Sequence, residues 1–434
     1  MYNIALINPP SPFLIDERVF PNIGIVRVAT ALKEHNVKII DLTGKKNYLK
    51  VIRDIANDFD YYAFSSTTPQ FPYTYKMFKE LKLVNPKAKT ILGGSHASAI
   101  SSIRKKLLQY GPGTSGVDIN IKPLNEFDTV FEGEGEDIEN IFKPGWQKGK
   151  LIKNLDDVLI PNYDLIDLKS YKYKLFGKKT TSIQTQRGCP HQCSFCCGRD
   201  IEMYNHVRNH SPERILKELD LLNKKYGFKS FMWYDDEINL NMNKLENLCK
   251  ALSTRSYQHR GFIRSDMIVK HPESVKWMKD AGFVKLCAGV ESGSNRILEM
   301  VGKKTTSQTN MKARQIIKDY GIHYEAFMLL GHPGETMDDV GDTFIWLKEA
   351  EPDDFDINLV TPYPGSKMYD EAIPTNFKGY KWNYKGLYFN KPDYSKEDSY
   401  YKGLDRQGKS DIRTKEISNK TYIKLRNVIE KCIK

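Results

Sequence analysis

The sequence has no apolar run approaching the length that spans a bilayer. Its first residues, Met1 to Pro10, carry no basic segment followed by an apolar stretch of signal-peptide length. A cytoplasmic protein is therefore expected, with no membrane partner. Cysteine is scarce: there are seven in 434 residues, and none before Cys189. An odd, sparse set in a long unsecreted chain argues against a disulfide framework. At the strand ends of the first part no Walker A loop and no G-x-G-x-x-G occur, so nucleotide binding of those two kinds is unsupported there. Neither a long internal repeat nor a low-complexity tract is present to set the architecture.

What is there begins with size. A chain of 434 residues exceeds one small core and suggests two domains with an appendage. Hydrophobic residues at 40% and charged residues at 28% are an ordinary soluble balance. The formal charge of +12 invites a nucleic-acid reading. The lysines are spread out and interleaved with acids, as in Lys217-Glu218 and Lys348-Glu349, so a solvated surface explains the charge better.

The first part alternates short apolar runs with helical patterns. Strands are expected at Ile4–Ile7, Val37–Leu42, Tyr61–Ser65, Thr90–Leu92 and Thr129–Phe131, with helices at Gly24–His35 and Tyr48–Asn57. This order implies an α/β fold with a doubly wound parallel sheet over 1–145, whose ligands bind beyond the carboxyl ends of the strands. Those ends carry Ser65, Ser66, Thr67, Thr68 and Pro69, then Gly93, Gly94, Ser95 and His96, then Glu132, Gly133, Glu134, Gly135 and Glu136. Any one such turn merely ends a strand. Three small, polar turns on one rim point to a binding site.

Residues 146–180 read as a linker. Six strand–helix units follow, with strands near Thr181–Thr185, Phe231–Tyr234, Gly261–Ile263, Lys285–Val290, Tyr324–Leu330 and Ile357–Val360. They predict a partial (β/α)6 barrel over 181–375, with its site at the strands' C-terminal mouth. Residues 376–434 form a polar, Tyr-rich C-terminal extension ending in a helix around Ile423 and Leu425.

Arg187-Gly188-Cys189-Pro190-His191-Gln192-Cys193-Ser194-Phe195-Cys196 directly follows the first barrel strand and spaces its cysteines Cys-x3-Cys-x2-Cys. Thiolates are the usual ligands of iron–sulfur clusters, and three on a four-iron cube leave one iron open to chelate a small molecule. Structural zinc is the rival. It normally takes four ligands, but Cys249, Cys287 and Cys432 stand alone, and His191 lies too near Cys189 in sequence to close a tetrahedron well. Cys197 reads as a spare thiol.

On this motif, with its aromatic before the last cysteine, the chain resembles the radical S-adenosylmethionine (SAM) superfamily, specifically its cobalamin-binding subgroup, over about residues 1 to 400. The resemblance implies a [4Fe–4S] cluster on Cys189, Cys193 and Cys196 whose open iron binds SAM, cleaved on one-electron reduction to a 5′-deoxyadenosyl radical. It places SAM contacts at Phe195, at Asp235, Asp236 and Glu237, at Arg264 and Ser265, at Glu291 and Ser292, and at Gly331. It places cobalamin contacts at Pro9, Pro10, Ser66, Thr67, Thr68, Gly93, Gly94, Ser95, His96, Glu132, Gly133 and Glu134. Many cobalamin proteins carry Asp-x-His-x-x-Gly, whose His ligates cobalt; His96 has Gly94 where that Asp would stand. No protein imidazole on cobalt is expected. The implied activity is methylation of an unactivated carbon or phosphorus centre of a small molecule, with reduction by a donor such as flavodoxin or ferredoxin. The alternatives are a cobalamin-dependent rearrangement or cyclisation, and a non-catalytic sensor. A tRNA methylthiotransferase is disfavoured, since the first half has no cysteine for a second cluster.

Overall fold

The computed structural model describes residues 1–110, 118–396 and 411–433. Residues 397–410 and 434 of the expected extension lie outside the described residues. The first sheet comprises β1 (Asn3–Asn8), β2 (Asn36–Asp41), β3 (Tyr61–Ser65), β4 (Lys89–Gly93), β5 (Thr129–Glu132) and β6 (Gly145–Lys148), in the order β2-β1-β3-β4-β5-β6. Every pairing is parallel. Ile4, Ala5, Leu6 and Ile7 are all buried, which is why β1 reads as a continuous apolar run and not an alternation. The order reverses between β1 and β3, so the turns after these strands diverge and leave a crevice. Helix α1 (Ile23–Ala31) starts beside it, its first turn capped where Ile25 N donates to Asn22 Oδ1 at 3.2 Å.

One difference from the sequence reading concerns β6. Gly145–Lys148 lies at the start of the segment read as a linker, yet pairs along β5 from Thr129↔Gly145 to Glu132↔Lys148. Its four residues are all at least partly exposed, as an edge strand allows, so hydrophobic periodicity gave no signal.

The second sheet contains β7 (Lys174–Leu175), β8 (Lys178–Ile183), β11 (Ser230–Trp233), β12 (Gln258–Ile263), β13 (Phe283–Glu291), β14 (His323–Leu330) and β15 (Asp354–Leu359), in the order β15-β14-β13-β12-β11-β8-β7. Six strands are parallel, and β7 closes the edge antiparallel to β8. This is the expected six-unit partial barrel. Helix α2 (Pro212–Tyr226) has the predicted start: Arg214 N donates to Ser211 Oγ at 3.2 Å and Pro212 opens the first turn, while Gly227 at φ +78° ends it. Between β8 and β11 a short antiparallel ribbon joins β9 (Gln186–Arg187) to β10 (Arg208–Asn209).

The extension holds a small antiparallel sheet that local pattern did not reveal: β16 (Ile373–Phe377), β17 (Tyr380–Tyr384), β18 (Leu387–Phe389) and β19 (Ile412–Arg413). Helix α3 (Asn419–Ile433) follows it. Asn120 of the first half ties the extension in: its amide donates to the Tyr369 hydroxyl and the Pro392 carbonyl, both at 3.1 Å. Its carbonyl accepts Tyr394 N at 2.9 Å.

Candidate active site

The cysteine loop leaves β9 at the barrel mouth. Gly188 runs at φ +85°, and a Cβ there would lie 2.2 Å from the His206 carbonyl, so only glycine fits the entry to the loop. Cys189 and Cys193 are buried and Cys196 is half-buried. Burial pushes the Cys189 thiol up to about 12 and the Cys196 thiol up to about 11. Bare, they stay protonated at neutral pH; a metal centre must displace those protons. Arg199 Nη1 donates to the Cys189 carbonyl at 3.0 Å and bridges back across the loop. His191 is better placed than its spacing suggested: one ligand atom each from Cys189, His191 and Glu237 lie within 4.8 Å of one another.

Beside the loop stands a ring of charge. Glu237 reaches His191 Nε2 at 3.4 Å and Arg264 Nη1 at 3.8 Å. Glu237 Oε2, His191 Nε2, Arg264 Nη1 and Ser265 Oγ are all buried with no hydrogen-bond partner. Unsatisfied buried polar atoms are costly, and those of His191 and Arg264 gathered around the Glu237 carboxylate fit a polar ligand. Glu291 ends β13 at φ +66°, a conformation rare for a residue with a side chain, and its carboxylate accepts Lys303 Nζ at 2.9 Å. Phe195 sits edge-on to His332, ring centres 6.1 Å apart. Asp236 is exposed toward the adjoining cavity.

Three of the SAM-side expectations are corrected. Asp235 is buried, its carboxylate accepting Thr185 N at 2.7 Å, Gln186 N at 2.8 Å and the Thr185 hydroxyl. It locks the strand end that precedes the cysteine loop and does not face the mouth. Ser292 is wholly buried, with Thr343 Oγ1 3.2 Å away and Ser294 N donating to it at 3.1 Å. Gly331, at φ +90°, is closed over by the extension: a Cβ there would lie 2.2 Å from Ile412 Cδ1.

A cavity of about 450 Å³ lies between the first sheet's strand ends and the barrel. Ser66, Thr67, Gly93, Gly94, Ser95, Gly133 and Glu134 line one side, as expected from sequence. Gln184, Gln186, Arg187, Gly188, Tyr234 and Asp236 line the other. Five expected contacts are elsewhere. Pro9 and Pro10 are buried behind the rim, the Pro9 carbonyl accepting Gln70 Nε2 at 3.2 Å. Thr68 Oγ1 and His96 Nδ1 pair at 3.1 Å, with His96 fully buried and stacked on Phe71 at 4.2 Å. Burial pushes that imidazole down to about 3, so it is a neutral core residue. The Glu132 carboxylate is taken by Ser101 and Lys105.

Glu134 faces the cavity but serves a clamp. Its carboxylate accepts Arg187 Nη1 and Arg208 Nη1, each at 2.6 Å, and Ile152 N at 2.8 Å. Glu136 takes the other face of Arg187. Arg27, buried on α1, donates to the side chain and carbonyl of Gln184. Sequence reading assigned no role to Arg27, Gln184, Arg187, Arg199 or Lys303. Arg187 and Arg199 also touch Gln184 and the Cys197 carbonyl nearby, but the partners named above lie 10 to 157 residues away, so no local pattern marks them.

A family model for the radical SAM superfamily matches residues 183–347, and one for the B12 binding domain matches residues 17–118. An uncharacterized methyltransferase of Pyrococcus horikoshii, PH0819, is 28% identical over 402 residues, covering 86% of this chain and 83% of that protein. An anaerobic magnesium-protoporphyrin IX monomethyl ester cyclase of Rubrivivax gelatinosus is 24% identical over 331 residues, 69% of this chain; the chain spans 56% of that protein's length. In fold, the chain resembles the radical SAM methyltransferase TsrM of Kitasatospora setae, solved with cobalamin and a [4Fe–4S] cluster bound. The TM-score is 0.64 at 15% identity, over 90% of this chain and 81% of that one.

Proposed function

The chain belongs to the radical SAM superfamily and carries a B12 binding domain, and from that premise we propose that it methylates an unactivated carbon or phosphorus centre of a small molecule. One observation carries the proposal. A single cavity is walled by the strand-end turns of the first sheet and by the approach to the cysteine loop, so ligands of the two halves meet in one space. The methyltransferase relative of Pyrococcus horikoshii, matched across most of both chains, supports it.

The cofactors supply the difficult chemistry: the cluster with SAM a carbon radical, and cobalamin a transferable methyl group. The chain's own residues bind and orient them. Cys189, Cys193 and Cys196 hold the cluster. Glu237, Arg264, Ser265 and Glu291 present the unsatisfied polar atoms and the strained carboxylate that receive SAM's charged groups. Thr67, Gly93, Gly94, Ser95 and Gly133 form the rim that the corrin approaches. His96 is stacked in the core, so it does not ligate cobalt. Among the described residues no helix is long and apolar enough to cross a membrane. A reducing, cytoplasmic setting with flavodoxin or ferredoxin as electron donor suits an oxygen-sensitive cluster, and the interleaved charge leaves nucleic acid outside the reading.

The test is product analysis after anaerobic reconstitution with iron, sulfide and hydroxocobalamin. Methyl transfer yields S-adenosylhomocysteine together with 5′-deoxyadenosine. The cyclase relative favours one second reading, cyclisation without methyl transfer, which yields deoxyadenosine alone. Tight SAM binding with no cleavage under strong reductant would instead make the protein a sensor. The triple Cys→Ala variant is expected to lose iron and sulfide; unchanged metal content would defeat the cluster assignment.

A further inference from the structure

The inside of the half-barrel is not filled. In β14 the outward residues Tyr324, Ala326, Met328 and Leu330 are buried against helices, while the inward His323, Glu325, Phe327 and Leu329 are only half-buried. β15 alternates likewise, with Phe355, Ile357 and Leu359 buried and Asp354, Asp356 and Asn358 more exposed. A closed barrel packs its interior solid; this one keeps a chamber open beneath the mouth. Its walls are aromatic. Phe262 and Phe327 lie 5.6 Å apart, with the Arg260 guanidinium 5.7 Å from the Phe262 ring centre.

The chamber's floor is an ion-pair layer. Arg260 Nη2 meets Glu325 at 2.7 Å, and Lys285 Nζ meets Glu325 at 3.3 Å and Asp354 at 2.8 Å. His323 Nε2 also meets Asp354, at 2.9 Å. Arg260 is further engaged by Cys287 Sγ and the Tyr173 hydroxyl, each at 3.2 Å. These groups satisfy one another. Asp356, one layer higher and in register with Phe327, is left over. Its one hydrogen bond is from the Asn358 amide at 3.0 Å, and no cation of the described residues lies within ion-pair distance. A half-buried carboxylate without a cation, beside the Phe327 ring in register with it, is a receptor for an ammonium group carried on an apolar body.

We propose that Asp356 is a specificity residue, and that the substrate of this enzyme is an amine whose ring-containing or otherwise bulky apolar part packs against Phe327 and the edge of Phe262. The proposal rests on the methyltransferase reading and names its substrate class. The test uses the full chain, reconstituted with cluster and cobalamin. Equilibrium dialysis compares 2-phenylethylamine, tryptamine and 4-phenylbutylamine with their alcohol and carboxylate counterparts. Amines are expected to be retained, and carboxylates excluded. Asp356→Asn, which keeps the side chain's shape, is expected to weaken amine retention by about tenfold or more, and Phe327→Leu to weaken amines and alcohols alike. Asp356→Lys is expected to reverse the preference toward carboxylates. Retention of carboxylates as strong as of amines, unchanged binding in Asp356→Asn, no retention of any amine, or displacement of the amines by SAM itself would each overturn the assignment. SAM cleavage by the same samples under reductant reports the underlying reading separately, since it needs no occupied chamber.

Discussion

At Gly94 the backbone runs at φ +93°, and an added Cβ would fall 2.6 Å from the Ser66 carbonyl and 2.7 Å from its nitrogen. The glycine is therefore required by the turn itself, whatever binds above it. Gly94→Ala is expected to cost at least about 2 kcal/mol, from the left-handed backbone plus the clash, read as a shift in urea midpoint. A bulky residue at 94 cannot separate lost fold from lost cobalamin. Its neighbour can. Gly93 lines the same cavity, and a Cβ there meets nothing closer than 3.9 Å. Gly93→Leu is expected to fold, to keep its cluster, and to bind hydroxocobalamin at least about tenfold more weakly. Equal affinity would remove this turn from the corrin site. Sequence placed both glycines on the right rim because glycine after a parallel strand is a local signal. Which of them faces the ligand depends on Ser66, far earlier in the chain.

The β9–β10 ribbon is the element on which the halves meet. Arg187 lies two positions before the first cysteine of the loop, yet its guanidinium is held by Glu134 and Glu136 of the first half. Arg208, opposite it in the ribbon, holds Glu134 as well. The pairing carboxylates and guanidiniums are mostly buried, so removing one partner leaves charge without compensation. Arg187→Ala is expected to lower stability by roughly 3–5 kcal/mol and to reduce the iron retained after reconstitution. Arg187→Lys should restore part of the stability but not the two-sided grip. If Arg187→Ala matched the parent in both denaturant midpoint and iron content, the clamp would be incidental. The loop was legible from its cysteine spacing alone, because Cys-x3-Cys-x2-Cys is a pattern of near neighbours along the chain. Its orientation was not, because the groups that hold it come from another domain.

For the whole molecule, the extension seals one flank of the barrel. Thr414 Oγ1 donates to the Glu335 carbonyl at 2.9 Å, and the Glu335 carboxylate beneath accepts Gly331 N at 2.7 Å. Burial pushes the Glu335 carboxyl up to about 8 from the usual 4.5. In the unfolded chain this acid ionises near 4.5, while in the fold it keeps its proton to about 8. The unfolded state thus binds fewer protons across that window, and this group's contribution to stability falls as pH rises. Glu335→Gln is expected to leave Tm nearly unchanged at pH 5. At pH 8 it is expected to raise stability by a few kcal/mol, since each pH unit between the two ionisation points is worth roughly 1.4 kcal/mol. Parallel Tm–pH curves for the two proteins would show that Glu335 is ionised in the fold.

By itself the sequence determined the order of the central strands in both halves, the cysteine loop at the head of the barrel, and the strand-end turns that line the cavity. Each rests on a local cause: buried parallel strands need continuous apolar runs, helix starts need caps, and turns that a ligand approaches need small residues. Only the tertiary structure decided which of the polar residues at those ends face a cavity. Asp235 and Gly331 sit in the very turns the pattern marked, but Thr185 and Ile412, both distant along the chain, claim them. The leftover charge of Asp356 was equally invisible, since an acid is unpaired only once the folded positions of every cation around it are known. Periodicity is a property of neighbours along the chain, whereas hydrogen-bond satisfaction is a property of neighbours in space.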